Sequence, residues 1–168
     1  MMEILRKVHQ KDREAFVAAC YRELLVREPD PEGLASHMRM LGKRPKAAVM
    51  AAIMQSPEAE QLYRSGPVSL SGKKRPAAAD IMRKLYSYSD ERFVQELYEE
   101  LLCRRADRSG FSQNVHQLRR GAPRSAIAAG LLSSGEAAEL LKAKSAIPIA
   151  QKILFDYANR RFYPDYNY

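Results

Sequence analysis

The chain states nearly the same sequence twice, and no other feature limits its fold as strongly. Residues from Met2 to about Tyr63 reappear, displaced by 77 positions, as Ala79 to about Leu141. Phe16-Val17, Tyr21, Glu23-Leu24-Leu25, Arg27, Asp30 and Gly33 become Phe93-Val94, Tyr98, Glu100-Leu101-Leu102, Arg104, Asp107 and Gly110. A fixed internal period decides architecture before any site is considered. Phe16, Val17, Cys20, Tyr21, Leu24 and Leu25 stand at i, i+1, i+4, i+5, i+8 and i+9, and the second copy keeps the spacing. This is one apolar stripe along a helix. Ile4, Leu5 and Val8, matched by Ile81, Met82 and Leu85, mark a shorter helix before it. With no alternating strand pattern of useful length, the sequence predicts an all-α fold. It is a tandem repeat of two four- to five-helix units plus a C-terminal helix. The boundaries are 1–65 for the first unit, 66–78 for a basic linker, 79–144 for the second unit, and 145–168 for a helix and aromatic tail.

Most repeated polar residues have a structural use. Asp30 and Asp107 suit the N-caps of the third helix of each unit, as Asp12 and Ser89 suit those of the second. Gly33 and Gly110 fall in a first helical turn, where a missing Cβ admits close approach of another backbone. Glu23 and Glu100 each precede an arginine by four residues, so Glu23–Arg27 and Glu100–Arg104 are expected as ion pairs along the helix. Cys20 aligns with Leu97 and Cys103 with Val26, which fits small buried hydrophobes. Ser56 and Ser134 begin a last short helix in each unit. A weak echo of the first helix at Ile149-Ala150-Gln151-Lys152-Ile153 suggests a truncated third unit that covers one end of the array.

Phe-Val-x3-Tyr-x-Glu-Leu-Leu-x-Arg-x2-Asp-x2-Gly, followed by a basic Gly turn and Ser-x-Glu, resembles the bacterial "domain of unknown function 4214" family. The likeness runs over Phe16 to Tyr63 and again over Phe93 to Leu141. Where that family often carries an aromatic pair, this chain has Ser36-His37 and Gln113-Asn114. Gln117-Leu118-Arg119-Arg120-Gly121 and the Ser134 region are similar to the linker domain of phycobilisome rod proteins. The resemblance implies an accessory or assembly role in the bacterial cell envelope, beside surface-layer, calcium-binding-repeat or glycosyltransferase modules. It brings no catalytic residue with it.

The chemistry-bearing residues point the same way. His9, His37 and His116 have no second histidine or cysteine at i+3 or i+4, and each Asp-x-x-Gly turn offers one or two carboxylates where calcium takes about six to eight oxygens. No metal, cofactor or catalytic residue is therefore assigned, and no enzyme activity is expected. Formal net charge is +8, and residues 66–89 hold five Lys/Arg against one Asp/Glu. Lys73, Lys74 and Arg75 form the densest basic cluster, but recognition helices and stacking aromatics are missing, so nucleic acid is a weak expectation. Five aromatics, Tyr157, Phe162, Tyr163, Tyr166 and Tyr168, crowd the last twelve residues. Tyrosine combines area with a polar tip and favours interfaces. Phe162, Tyr163, Tyr166 and Tyr168, with Lys73, Lys74 and Arg75, are thus the expected contacts to a protein partner or a second copy. An acidic glycan stacked on tyrosine is the alternative. No apolar run approaches about 18 residues and the start lacks a secretory signal, so a cytoplasmic location is expected.

Overall fold

The computed structural model describes residues 1–67 and 75–143. Among the described residues there are ten helices and no strand. The first unit holds α1 (Met2–His9), α2 (Arg13–Leu24), α3 (Pro31–Leu41), α4 (Lys46–Met54) and α5 (Pro57–Arg64). The second holds α6 (Ala78–Leu85), α7 (Asp90–Leu102), α8 (Arg108–Arg119), α9 (Arg124–Leu132) and α10 (Gly135–Lys142). The all-α tandem architecture is as the repeat predicts, with five helices per unit. The expected third echo at Ile149 and the aromatic tail lie outside the described residues, as do Lys73 and Lys74.

Local chemistry sets the helix starts. The Asp30 carboxylate accepts from the Gly33 N–H at 2.7 Å, and that of Asp107 from the Gly110 N–H at 2.9 Å. Ser56, Ser89 and Ser134 accept in the same way from Ala59, Arg92 and Ala137. Asp12 departs from expectation: its side chain makes no cap bond to α2. Arg13, the next residue, has φ of 33°, so the first turn of α2 opens from a strained backbone that carries the carboxylate off the helix N–H groups. At the far ends of α2 and α7 the chain turns through Val26 (φ 58°) and Cys103 (φ 54°), both left-handed without a glycine.

One hydrophobic core runs through both units. The predicted stripe is buried: Phe16, Val17, Cys20 and Leu24 in α2, and Phe93, Val94, Leu97 and Leu101 in α7, show no exposed surface. Both cysteines are buried, and burial pushes the Cys20 thiol far above its ordinary range. Tyr63, at the end of α5, is the largest fully buried side chain and donates to the Leu24 carbonyl at 3.1 Å.

The units are joined by reciprocal contacts. α4 packs on α9, its own counterpart. α5 packs on α6, and equivalently α10 packs on α1; α2 touches α6 as α7 touches α1. Each of these pairs has its mirror under exchange of the units, the pattern of an isologous two-fold interface within one chain, and α5 departs from it by packing on α9 as well. Arg6 donates to the carbonyl of Ala143 at 3.0 Å, and Arg83, its counterpart, to that of Gly66 at 2.7 Å. The first helix of each unit therefore holds the end of the last helix of the other.

Candidate functional site: the equivalent corners of the two units

The repeated motif is a framework in both copies. In the first, the Arg27 guanidinium reaches α5 and forms a two-point pair with Glu58, at 2.5 and 2.7 Å. It also meets Asp30 and lies 4.9 Å from the Tyr21 ring centroid. In the second, Arg104 reaches α10 and Glu136 at 2.9 Å, meets Asp107, and lies 5.3 Å from the Tyr98 ring. The expected pairs along the helix, Glu23–Arg27 and Glu100–Arg104, do not form. The left-handed turn at Val26 and Cys103 swings each arginine off its helix, across to the first turn of the last helix. There a bidentate carboxylate gives a stronger geometry than an i, i+4 contact. The Arg27 hydrogen bond holds the Glu58 carboxyl below its ordinary range, and the Gly33 and Gly110 N–H groups do the same for Asp30 and Asp107.

Glu23 and Glu100 instead bind cations from the opposite unit. Arg75, just before α6, pairs with Glu23 at 2.5 Å, and the Met1 amino group, just before α1, pairs with Glu100. Both pairs latch one unit to the other. Arg75, assigned from sequence to partner contact, is thus committed to Glu23.

Gly33 and Gly110 admit a side chain, not the backbone the sequence suggests. A Cβ on either would lie 2.4 Å from a tyrosine hydroxyl, that of Tyr21 or Tyr98. His37 and Asn114, which occupy equivalent places in the two units, complete these sites. His37 Nδ1 lies 3.2 Å from the Tyr21 hydroxyl and 2.9 Å from the Gly33 carbonyl. The Asn114 amide donates to the Tyr98 hydroxyl at 3.2 Å and the Gly110 carbonyl at 2.8 Å.

Two residues that pattern reading passes over do equivalent work. Lys46 opens α4 and donates to the carbonyls of His9 (3.0 Å) and Lys11 (2.6 Å). Arg124 opens α9 and donates to those of Tyr86 and Tyr88, both at 2.8 Å. Each cation thus satisfies carbonyls at the end of its unit's first helix, where the helix dipole is negative. Lys46 lies 5.4 Å from the Phe16 ring centroid and Arg124 4.8 Å from that of Phe93. A signal existed: a basic residue directly after Pro45 and Pro123 recurs in both copies.

Beside Arg124 a cavity of about 320 Å³ opens at the unit boundary, lined by Glu60, Arg64, Tyr86, Asp90, Leu118 and Arg124 among others. Glu60 accepts from the Tyr86 hydroxyl (2.6 Å), Arg64 (2.8 Å) and the Ser125 N–H (3.3 Å). Burial raises the Glu60 pKa, but these donors outweigh it and leave the carboxyl below its ordinary range. Burial, then Glu60, pushes the Tyr86 phenol well above its own. A carboxylate so satisfied is a poor base, and the phenol a poor acid. Among the described residues no group of three or more His, Cys, Asp and Glu is placed to hold a metal ion. No helix among them is long and apolar enough to cross a membrane.

The fold is therefore a two-fold pair of five-helix units, tied by Tyr–Arg–Asp–Gly–Glu frameworks and charge latches. The family model described as "Domain of unknown function (DUF4214)" matches residues 3–63 and again 75–141, and the chain belongs to that family. Neither the curated proteins nor the solved structures yielded a match to this chain.

Proposed function

We propose that the protein is a non-catalytic helical scaffold or adaptor, mediating protein–protein interaction in a bacterial cell-envelope or exopolysaccharide system. The observation that carries this reading is the fate of the polar residues that recur. Glu23, Arg27, Asp30, Glu100, Arg104 and Asp107 are all engaged within the body. What recurs holds the shape, and what differs between the copies is free to select a partner. The partner is engaged through the aromatic segment Phe162, Tyr163, Tyr166 and Tyr168, aided by Lys73 and Lys74. Capture from the native host with the full chain, and with residues 162–168 deleted, tests this. A partner held by the full chain and lost on deletion supports the reading. An identical set of captured proteins overturns the role given to the tail.

A further inference from the structure

The two units share a plan, so the surroundings of Arg124 can be compared with those of its counterpart, Lys46. Around Arg124 charge is balanced. Asp90 lies 2.8 Å from the guanidinium, and Glu60 lines the same cavity from α5. In the first unit Arg13 stands where the second has Asp90, and Ala138 of α10 stands where α5 has Glu60. Both acids are gone, and one is replaced by a cation. Lys142 stands at the place of Arg64, His9 at that of Tyr86, and Arg44 at that of Ala122.

Hydrogen bonds place Lys46 and the end of α10 here, the latter through the Ala143 carbonyl that Arg6 and Gln10 of α1 hold, and the correspondence of the units places Arg13 and Arg44. Lys46 Nζ is hydrogen-bonded to the His9 carbonyl. The His9 imidazole is half-buried, and its pKa is lowered first by burial, then by the charges of Lys46 and of Lys142. The charges of Lys46 in α4 and Lys142 in α10 are thus both felt at the end of α1. Among the described residues Arg13 and Arg44 have no salt-bridge partner, while Lys142 meets Glu139 at 3.3 Å on largely exposed side chains. Asp12 and Glu14 are the other acids close by in sequence, and both are exposed. The α2 and α4 N-termini open here without a side-chain cap, adding positive potential of their own.

We propose that this corner, built from His9, Arg13, Lys46 and Lys142, binds a phosphate-class anion, free or carried as an ester on a sugar. A single carboxylate would answer one of the converging cations, whereas a phosphate dianion offers three acceptor oxygens and close to two charges. The proposal concerns the helical body alone and stands independently of the adaptor reading.

The test follows the His9 ring of the full chain by NMR during titration with inorganic phosphate, with a sugar 1-phosphate, and with sodium chloride at matched ionic strength. Phosphate and its ester should give saturable shifts and raise the His9 pKa, while chloride gives only a small unsaturating drift. Tighter binding of the ester assigns the carried form, and equal binding the free anion. Arg13→Asp, which gives the corner the acid found in the second unit, and Lys142→Ala should each weaken binding by roughly tenfold. Arg64→Ala, at the matching place in the other corner, should not change it. A phosphate response no different from that of chloride overturns the proposal. So does unchanged affinity in Arg13→Asp and Lys142→Ala proteins that retain the parent's circular dichroism.

Discussion

Lys46 and Arg124 occupy the same place in their units and hold the same carbonyls, yet one stands among cations and the other beside Asp90 and Glu60. The backbone task is fixed by geometry, because a helix end presents unpaired carbonyls wherever it occurs. The surrounding charge is not fixed, because no packing requirement sets it. Duplication thus kept the groups that a five-helix unit needs and let the others diverge. The same contrast separates His37 from Asn114: different side chains bridge the same tyrosine hydroxyl and glycine carbonyl.

The comparison breaks most readily in the core. Phe16→Ala and Phe93→Ala should each cost about 3–5 kcal/mol, since both rings are fully buried in one continuous cluster. Denaturant melts followed by circular dichroism and tyrosine fluorescence should show one transition for either variant. Two separated transitions would mean that the units are independent bodies. Arg124→Met should lose about 2–3 kcal/mol, and Lys46→Met less, because Arg124 also holds Asp90 at 2.8 Å. Equal losses would show that Asp90 contributes nothing.

Gly33→Ala and Gly110→Ala should each destabilise by about 1–3 kcal/mol through the clash with Tyr21 or Tyr98. Adding Tyr21→Phe or Tyr98→Phe should recover part of that loss, and an additive double-mutant cycle would refute the clash. A smaller effect depends on pH. His9 has a lowered pKa in the folded protein, so the unfolded chain takes up more protons below about pH 6.5. Its contribution is present above that pH and is lost as pH falls through the folded value. Stability should decline over that range in the parent and decline less in His9→Gln, whereas the matching Tyr86 gives no such slope. The smallest effect is expected at the motif pairs: Glu58→Gln should cost at most about 1 kcal/mol, because that pair is partly solvated, and Glu136→Gln somewhat more.

What could be read from sequence is what is local. The α2 and α7 stripes depend on spacing within three turns, and the Asp30 and Asp107 caps on a carboxylate three residues before an N–H. The ion pairs went elsewhere because their partners are distant along the chain: Arg27 to Glu58, Glu23 to Arg75, Glu100 to Met1. Spacing of i, i+4 offers a pair, but the left-handed turn at Val26 and Cys103, which no glycine announces, withdraws it. The tyrosine hydroxyl beneath each glycine was hidden for the same reason, since only the α2–α3 and α7–α8 packing brings it there. The corner at His9 is legible only by laying the second unit over the first.

The crossed grip of the first helices has a topological consequence. Arg83 holds the carbonyl of Gly66 where the chain runs on from α5 towards α6, and Arg6 holds that of Ala143 at the same place on the other side, where no bond leads from α10 to α1. The covalent connection is therefore present at one of two equivalent seams. A chain opened between Arg64 and Ala78, and closed from Ala143 to Met1 by a linker of similar length, would bury the same core with its halves in reverse order, at the loss of the Met1 ammonium that latches onto Glu100. The core itself does not dictate which unit comes first.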